Sequence, residues 1–191
     1  MMILGIDQSL TNLGVVTLTG VAPPVFESIC FKTKKMGVER LLIEIPGIIS
    51  PLLDLRPDLL VLEGGALSSP YMVYTLGELS GVIRYAAHLR GIQTLVVAPA
   101  TAKAFAVGKG NCSKFEMVLG IQAQFGAQIA NEHVADAFWL AMVGAAYFDF
   151  PDFPWNEKRT KAINRLRSYV GGSKTREKTK AKLNRISGGS L

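Results

Sequence analysis

The hydrophobic period of this chain changes once, after Lys35, and that change limits the folds open to it. Before it, three short runs, Ile3 to Asp7, Leu13 to Leu18 and roughly Val25 to Phe31, are rich in β-branched and aromatic residues. They are separated by Thr11-Asn12 and by Thr19-Gly20 through Pro24, so they predict a three-stranded antiparallel meander. Beyond Lys35, Val38, Leu41, Leu42, Ile45, Ile48, Ile49 and Leu52 recur at threes and fours, a helix in which Pro46 must act as a kink or break. Pro57-Asp58 then opens a buried strand, Leu59 to Glu63. Tyr71 to Arg90 reads as a helix, Ile92 to Val97 as a strand, Ala100 to Val107 and Ser113 to Phe125 as helices, and Glu132 to Phe148 as the last core helix. The order βββαβαβα predicts an α/β fold: a mixed five-stranded sheet, three antiparallel strands plus two parallel, flanked by helices.

At 191 residues and 49% hydrophobic the chain can bury one sizeable core, and its composition is far from that of a disordered protein. No internal repeat is visible. No apolar run reaches the roughly 18 residues of a membrane span, and Met1 to Asp7 lacks the basic and long apolar regions of a signal peptide, which leads to the expectation of a soluble, cytoplasmic protein. Cys30 and Cys112 belong to no CxxC and have no nearby histidine, so they read as reduced thiols without chemistry.

Charge is distributed unevenly. Residues 1–150 carry 10 Lys/Arg against 12 Asp/Glu, a net of −2, whereas residues 151–191 carry 11 against 3, a net of +8. We therefore expect a folded domain over 1–150 and a basic C-terminal extension over 151–191. Pro151 and Pro154 mark its start, and Lys158, Arg159, Lys161, Arg165 and Arg167 lead into Lys174, Arg176, Lys178, Lys180, Lys182 and Arg185. Such a segment is either a solvated tail or a partner for a polyanion; with no bulky apolar face beside the charge, nucleic acid fits better than a membrane surface.

Four residues in the remainder carry chemistry. Asp7 and Glu63 stand at the ends of buried apolar strands, and His133 and Asp136, three apart, share one face of the last core helix. Placing carboxylates at such positions is costly unless something positive meets them, and no cationic neighbour in sequence explains them; a shared divalent cation would. Each residue also has a plain reading. Asp7 before Gln8-Ser9 could cap a turn, Glu63 before Gly64-Gly65 could be a surface acid, and a lone histidine in a helix's first turn is often a solvated cap. Glu132, about 100° round the helix from His133, reads as a favourable first-turn charge.

In order along residues 1 to 148, five blocks resemble the RuvC family of Holliday-junction resolvases. They are Ile3-Leu4-Gly5-Ile6-Asp7-Gln8-Ser9-Leu10-Thr11-Asn12-Leu13-Gly14, Leu62-Glu63, Ala98-Pro99-Ala100-Thr101-Ala102-Lys103, Gly110-Asn111-Cys112-Ser113-Lys114 and His133-Val134-Ala135-Asp136-Ala137. The compact block after Asp7, lacking Pro-Gly, is more similar to versions seen in bacteriophages. The resemblance implies a ribonuclease H-like fold, a homodimer acting on four-way and other branched DNA, magnesium or manganese as cofactor, and paired nicks leaving 5′-phosphate and 3′-hydroxyl ends.

Phosphodiester hydrolysis requires an activated water and neutralisation of the leaving oxygen, which two Mg²⁺ ions about 4 Å apart supply, with Mn²⁺ able to substitute. Asp7 is then the expected bridging ligand, with Glu63 and Asp136 completing the cage. His133 would bind one ion or take a proton from the water, while Lys114, and with it Lys103 and Lys109, would face the scissile phosphate. Lys158, Arg159, Lys161, Arg165 and Arg167 are expected to contact DNA, so deleting residues 156–191 should weaken binding and flatten its salt dependence. The family's bulky wedge residue after the strand-end glutamate is missing from Gly64-Gly65-Ala66-Leu67, where only Leu67 could serve. The apolar face of Tyr71 to Ala87 is a candidate dimer surface. The rival readings are a ribonuclease acting on RNA–DNA hybrids, a catalytically silent DNA-binding protein and an actin-like ATPase. Gln8 in place of glycine and the short chain argue against the last, and Val107-Gly108-Lys109-Gly110 lacks the rest of a phosphate loop.

Overall fold

A computed structural model describes residues 1–9, 11–64, 70–129 and 131–171. Three antiparallel strands, β1 (Ile3–Gln8), β2 (Asn12–Val21) and β3 (Pro24–Lys32), lead through a π-helical turn (Glu39–Glu44) into α1 (Ile45–Asp54). Then come β4 (Leu59–Glu63), α2 (Pro70–Leu89), β5 (Gln93–Val97), α3 (Pro99–Val107), α4 (Lys114–Phe125), α5 (Glu132–Tyr147) and α6 (Glu157–Gly171). The strands form one sheet in the order β3-β2-β1-β4-β5, with β4 parallel to both β1 and β5. This is the mixed sheet that the change of period predicts, and β1 lies at its centre.

Alternation along β1 explains the layers. Leu4 and Ile6, with Leu13, Val15, Leu60 and Leu62, face α1 and α2 through Ile45, Ile49, Leu53, Leu79 and Ile83. Ile3, with Val16, Leu18, Leu59 and Val61, faces the larger core built by α3 to α6. Helix α5 is buried on nearly every side because it lies directly on the sheet. Two glycines permit that approach: a Cβ at Gly5 would strike the backbone oxygen of Ala137, and one at Gly14 the backbone of His133. Gly14 is also the β2 residue opposite Asp7. The two glycines thus seat the start of α5 over the carboxylate-bearing end of β1.

Pro46 marks the break that the period leaves open to it: the π-helical turn ends at Glu44 and α1 begins at Ile45, with the proline in its first turn. Two expectations change. Glu132 is not simply a first-turn charge, as described below. The basic segment does not leave the fold at residue 150, because residues 157–171 form α6, whose Ala162, Ile163 and Leu166, together with Phe153, belong to the main core. Fully burying side chains of the size of Ile163 and Leu166 is worth roughly 1.5–3 kcal/mol each. Leu67 and the basic residues from Lys174 onward lie outside the described residues.

Candidate active site

The acids sit where parallel strands end. Asp7 is the penultimate residue of β1 and Glu63 the last of β4; Ile6 pairs with Leu62, which puts the two carboxyl-bearing positions side by side at the C-terminal edge of the sheet. The Gln8 side chain ties the two strand ends further, donating from Nε2 to the Glu63 backbone oxygen at 2.8 Å. On α5, the N-cap Asn131 accepts hydrogen bonds from the backbone N–H groups of His133 and Val134, which fixes the first turn. His133 and Asp136 then face the strand ends. His133 Nδ1 meets Asp7 Oδ2 at 2.7 Å; with Asp7 ionised, Nδ1 donates and Nε2 is left with its lone pair.

Electrostatics couples the group. Burial, then the charges of Asp7 and Asp136, push the Glu63 carboxyl up to about 8. Burial and Asp7 raise Asp136 to about 6, with Lys114, His133 and Lys103 opposing. Asp7 is also raised by burial, against the hydrogen bond and charge of His133 and the charge of Lys114. Three carboxyls that resist ionising together form a hard-oxygen donor set to which a divalent cation would supply the missing countercharge. Among the described residues no group of three or more His, Cys, Asp or Glu side chains is yet drawn together as a cage for one ion.

The lysines divide. Lys114 begins α4 behind a Ser113–Glu116 capping box, and its Nζ lies 3.8 Å from Asp136 and 3.3 Å from Glu132. Lys103, on α3, acts on both Glu63 and Asp136. Lys109 lies in the α3–α4 turn, where it acts on Glu116. Glu132 joins the site as well as standing in the first turn of α5. Its side chain swings back to Lys114 and comes within 3.9 Å of His133 Nε2, a placement that helical angle alone conceals.

Two of the expected DNA contacts have other duties. Arg159 is 3% exposed, enclosed by the rings of Phe105, Phe125, Trp139 and Phe153, and hydrogen-bonded to the Pro154 carbonyl and to Gln124. It anchors α6 and is not placed to meet a phosphate. Arg167 spends its guanidinium on the carbonyls of Ala146 and Tyr147 at the end of α5 and on Asp149. Lys158, Lys161 and Arg165 remain exposed.

The mixed sheet, with acids ending its central parallel strands and a third acid on the helix packed across it, defines a ribonuclease H-like protein with a carboxylate-centred site. No family model matches the chain. Among curated proteins it is 40% identical over 88 residues to the crossover junction endodeoxyribonuclease RuvC of Chlamydia muridarum, covering 44% of this chain and 52% of that protein. It is 35% identical over 113 residues to the same enzyme of Chlamydia felis, covering 56% and 66%. The chain thus spans about half to two thirds of the length of these relatives. In three dimensions it superposes on Thermus thermophilus RuvC with a TM-score of 0.63 at 20% identity, over 90% of this chain and 97% of that one. On T. thermophilus RuvC in complex with a Holliday junction substrate the TM-score is 0.64 at 25% identity, over 74% and 90%. The chain is thus similar to RuvC endodeoxyribonucleases in sequence over these stretches and to RuvC in fold.

Proposed function

We propose that this protein is a divalent-metal-dependent endonuclease that cuts four-way DNA junctions. The observation that carries the reading is the meeting of Asp7, Glu63 and Asp136 at one sheet edge, with their ionisation opposed by burial and by one another. Asp7, Glu63 and Asp136 would hold the metal, with His133 Nε2 as a further donor; magnesium is the proposed ion and manganese a substitute. Bound there, the metal supplies the charge that activates water and stabilises the leaving oxygen.

The chain's own residues do the rest. Asp7 orients the His133 ring through Nδ1, which leaves the single Nε2 lone pair for one role at a time, metal donor or proton acceptor. Lys114 and Lys103 place positive charge beside the acids, where a scissile phosphate would add its own negative charge. Four-way DNA is favoured as substrate because a RuvC of like fold was solved with a Holliday junction. Two strands must be cut symmetrically, so the protein acts as a homodimer. Val73, Tyr74, Tyr85 and Leu89 of α2, all at least 36% exposed, support α2 as the shared surface. The catalytic unit spans residues 1–171, α6 included, with the exposed basic residues of the segment as an aid to binding.

The substrate assignment is tested by incubating the protein and Mg²⁺ with a labelled immobile four-way junction, the matching duplex and an RNA–DNA hybrid. Paired nicks in the junction alone are expected. Preferential cutting of the hybrid would make the enzyme a ribonuclease, and tight junction binding without cleavage would make it a silent binding protein.

A further inference from the structure

Helix α6 separates its charges by duty. Arg159, Ala162, Ile163 and Leu166 form the inner face, and Arg167 ties the helix to the end of α5. Lys158, Lys161 and Arg165, spaced three and four apart, fall on one outward side, and among the described residues none of them is in an ion pair. They border a groove of about 330 Å³ whose other wall is Ala104 and Gly108, with Glu157 at its end. The Lys158 side chain lies along Gly108, at a position where a Cβ would strike its methylenes. Gly108 immediately precedes Lys109 in the turn that leads to Lys114 and the acids. A line of cations therefore leaves the site at Lys114, passes Lys109 and continues along α6 for about 10 Å from Lys158 to Arg165. The residues beside it, Thr160, Asn164 and Ser168, are polar and exposed, as suits a phosphate backbone rather than a lipid surface.

We infer that Lys158, Lys161 and Arg165 form a phosphate-binding ridge that grips a duplex DNA arm beyond the cut site, so that α6 lengthens the footprint without reading sequence. The inference rests on the nuclease reading for the direction in which the arm runs, but not for the ridge itself. Cations that meet phosphates release counterions, each steepening the fall of log affinity with log salt by about 0.9, so three contacts account for about 2.7 of its magnitude.

The test is the full-length K158Q/K161Q/R165Q protein, whose changes are all on exposed atoms, with its thermal melt compared with the native one to establish folding. Binding is measured against salt for junctions of progressively shorter arms and for plain duplex. We expect weaker binding and a slope smaller by about two to three on long arms, converging on native behaviour as the arms shorten past the ridge. Equal losses at every arm length or an unchanged slope would overturn the ridge. If the native protein shows no preference for junctions while the variant still loses duplex affinity and slope, the junction reading fails and the ridge stands.

Discussion

At the scale of single residues, the behaviour of Glu63 and Asp136 follows from what surrounds them. Both are held above their ordinary carboxyl values, Glu63 at about 8 and Asp136 at about 6, by burial and neighbouring acids. The native state therefore binds more protons than the unfolded chain across this range. Their contribution to stability is complete below the unfolded carboxyl values and is lost as pH rises through about 6 and then about 8. A divalent cation competes with the same protons, so the rise in melting temperature on adding Mg²⁺ should grow between pH 6 and pH 8. Thermal melts with Mg²⁺ or EDTA at each pH check this, and a metal shift independent of pH would contradict it.

At the scale of elements, close packing of α5 on β1 and β2 is what brings His133 to Asp7. Gly14→Ala should push the first turn of α5 outward, cost about 1–3 kcal/mol in denaturant unfolding, and reduce cleavage more than Gly47→Ala, which has nothing within 4 Å of its added Cβ. The neighbouring helix makes the opposite point about legibility. Asp7 and Glu63 can be read from the sequence because each depends on local pattern, an acid closing an apolar run. Helix α6 could not be read so easily. Arg159 looks like surface charge in a basic run and becomes an anchor only because Phe105, Phe125, Trp139 and Phe153, scattered through the chain, enclose it. Ala162, Ile163 and Leu166 were the available signal, masked by the lysines and arginines between them. Glu132 was missed for a related reason, since its side chain is turned by Lys114 from another helix. It follows that Ile163→Ala should destabilise the whole protein by about 2–5 kcal/mol, although it lies in the basic segment. Chemical denaturation measures this, and a change near zero would mean that α6 is detached from the core.

At the scale of the molecule, the basic segment divides into a built part and a part beyond it. Deleting residues 156–191 removes core side chains along with charge, so lost binding in that variant would report on folding as much as on DNA contact. Ending the chain after residue 171 keeps α6. We expect that truncation to leave the melting temperature within a few degrees of native while making the salt dependence of DNA binding shallower, because Lys174, Arg176, Lys178, Lys180, Lys182 and Arg185 are removed while every core residue of α6 stays. A large fall in melting temperature would show that residues beyond 171 support the fold. The whole account depends on the acids at the sheet edge serving a metal that cuts branched DNA. The most direct test is single-turnover cleavage of a labelled immobile four-way junction by the native protein and by Asp7→Asn, each with Mg²⁺ and with EDTA. Cleavage by the native protein that EDTA abolishes and that Asp7→Asn lowers by at least roughly a hundredfold, with junction binding retained, is the predicted result. Cleavage that persists in EDTA, or survives Asp7→Asn at the native rate, would contradict it.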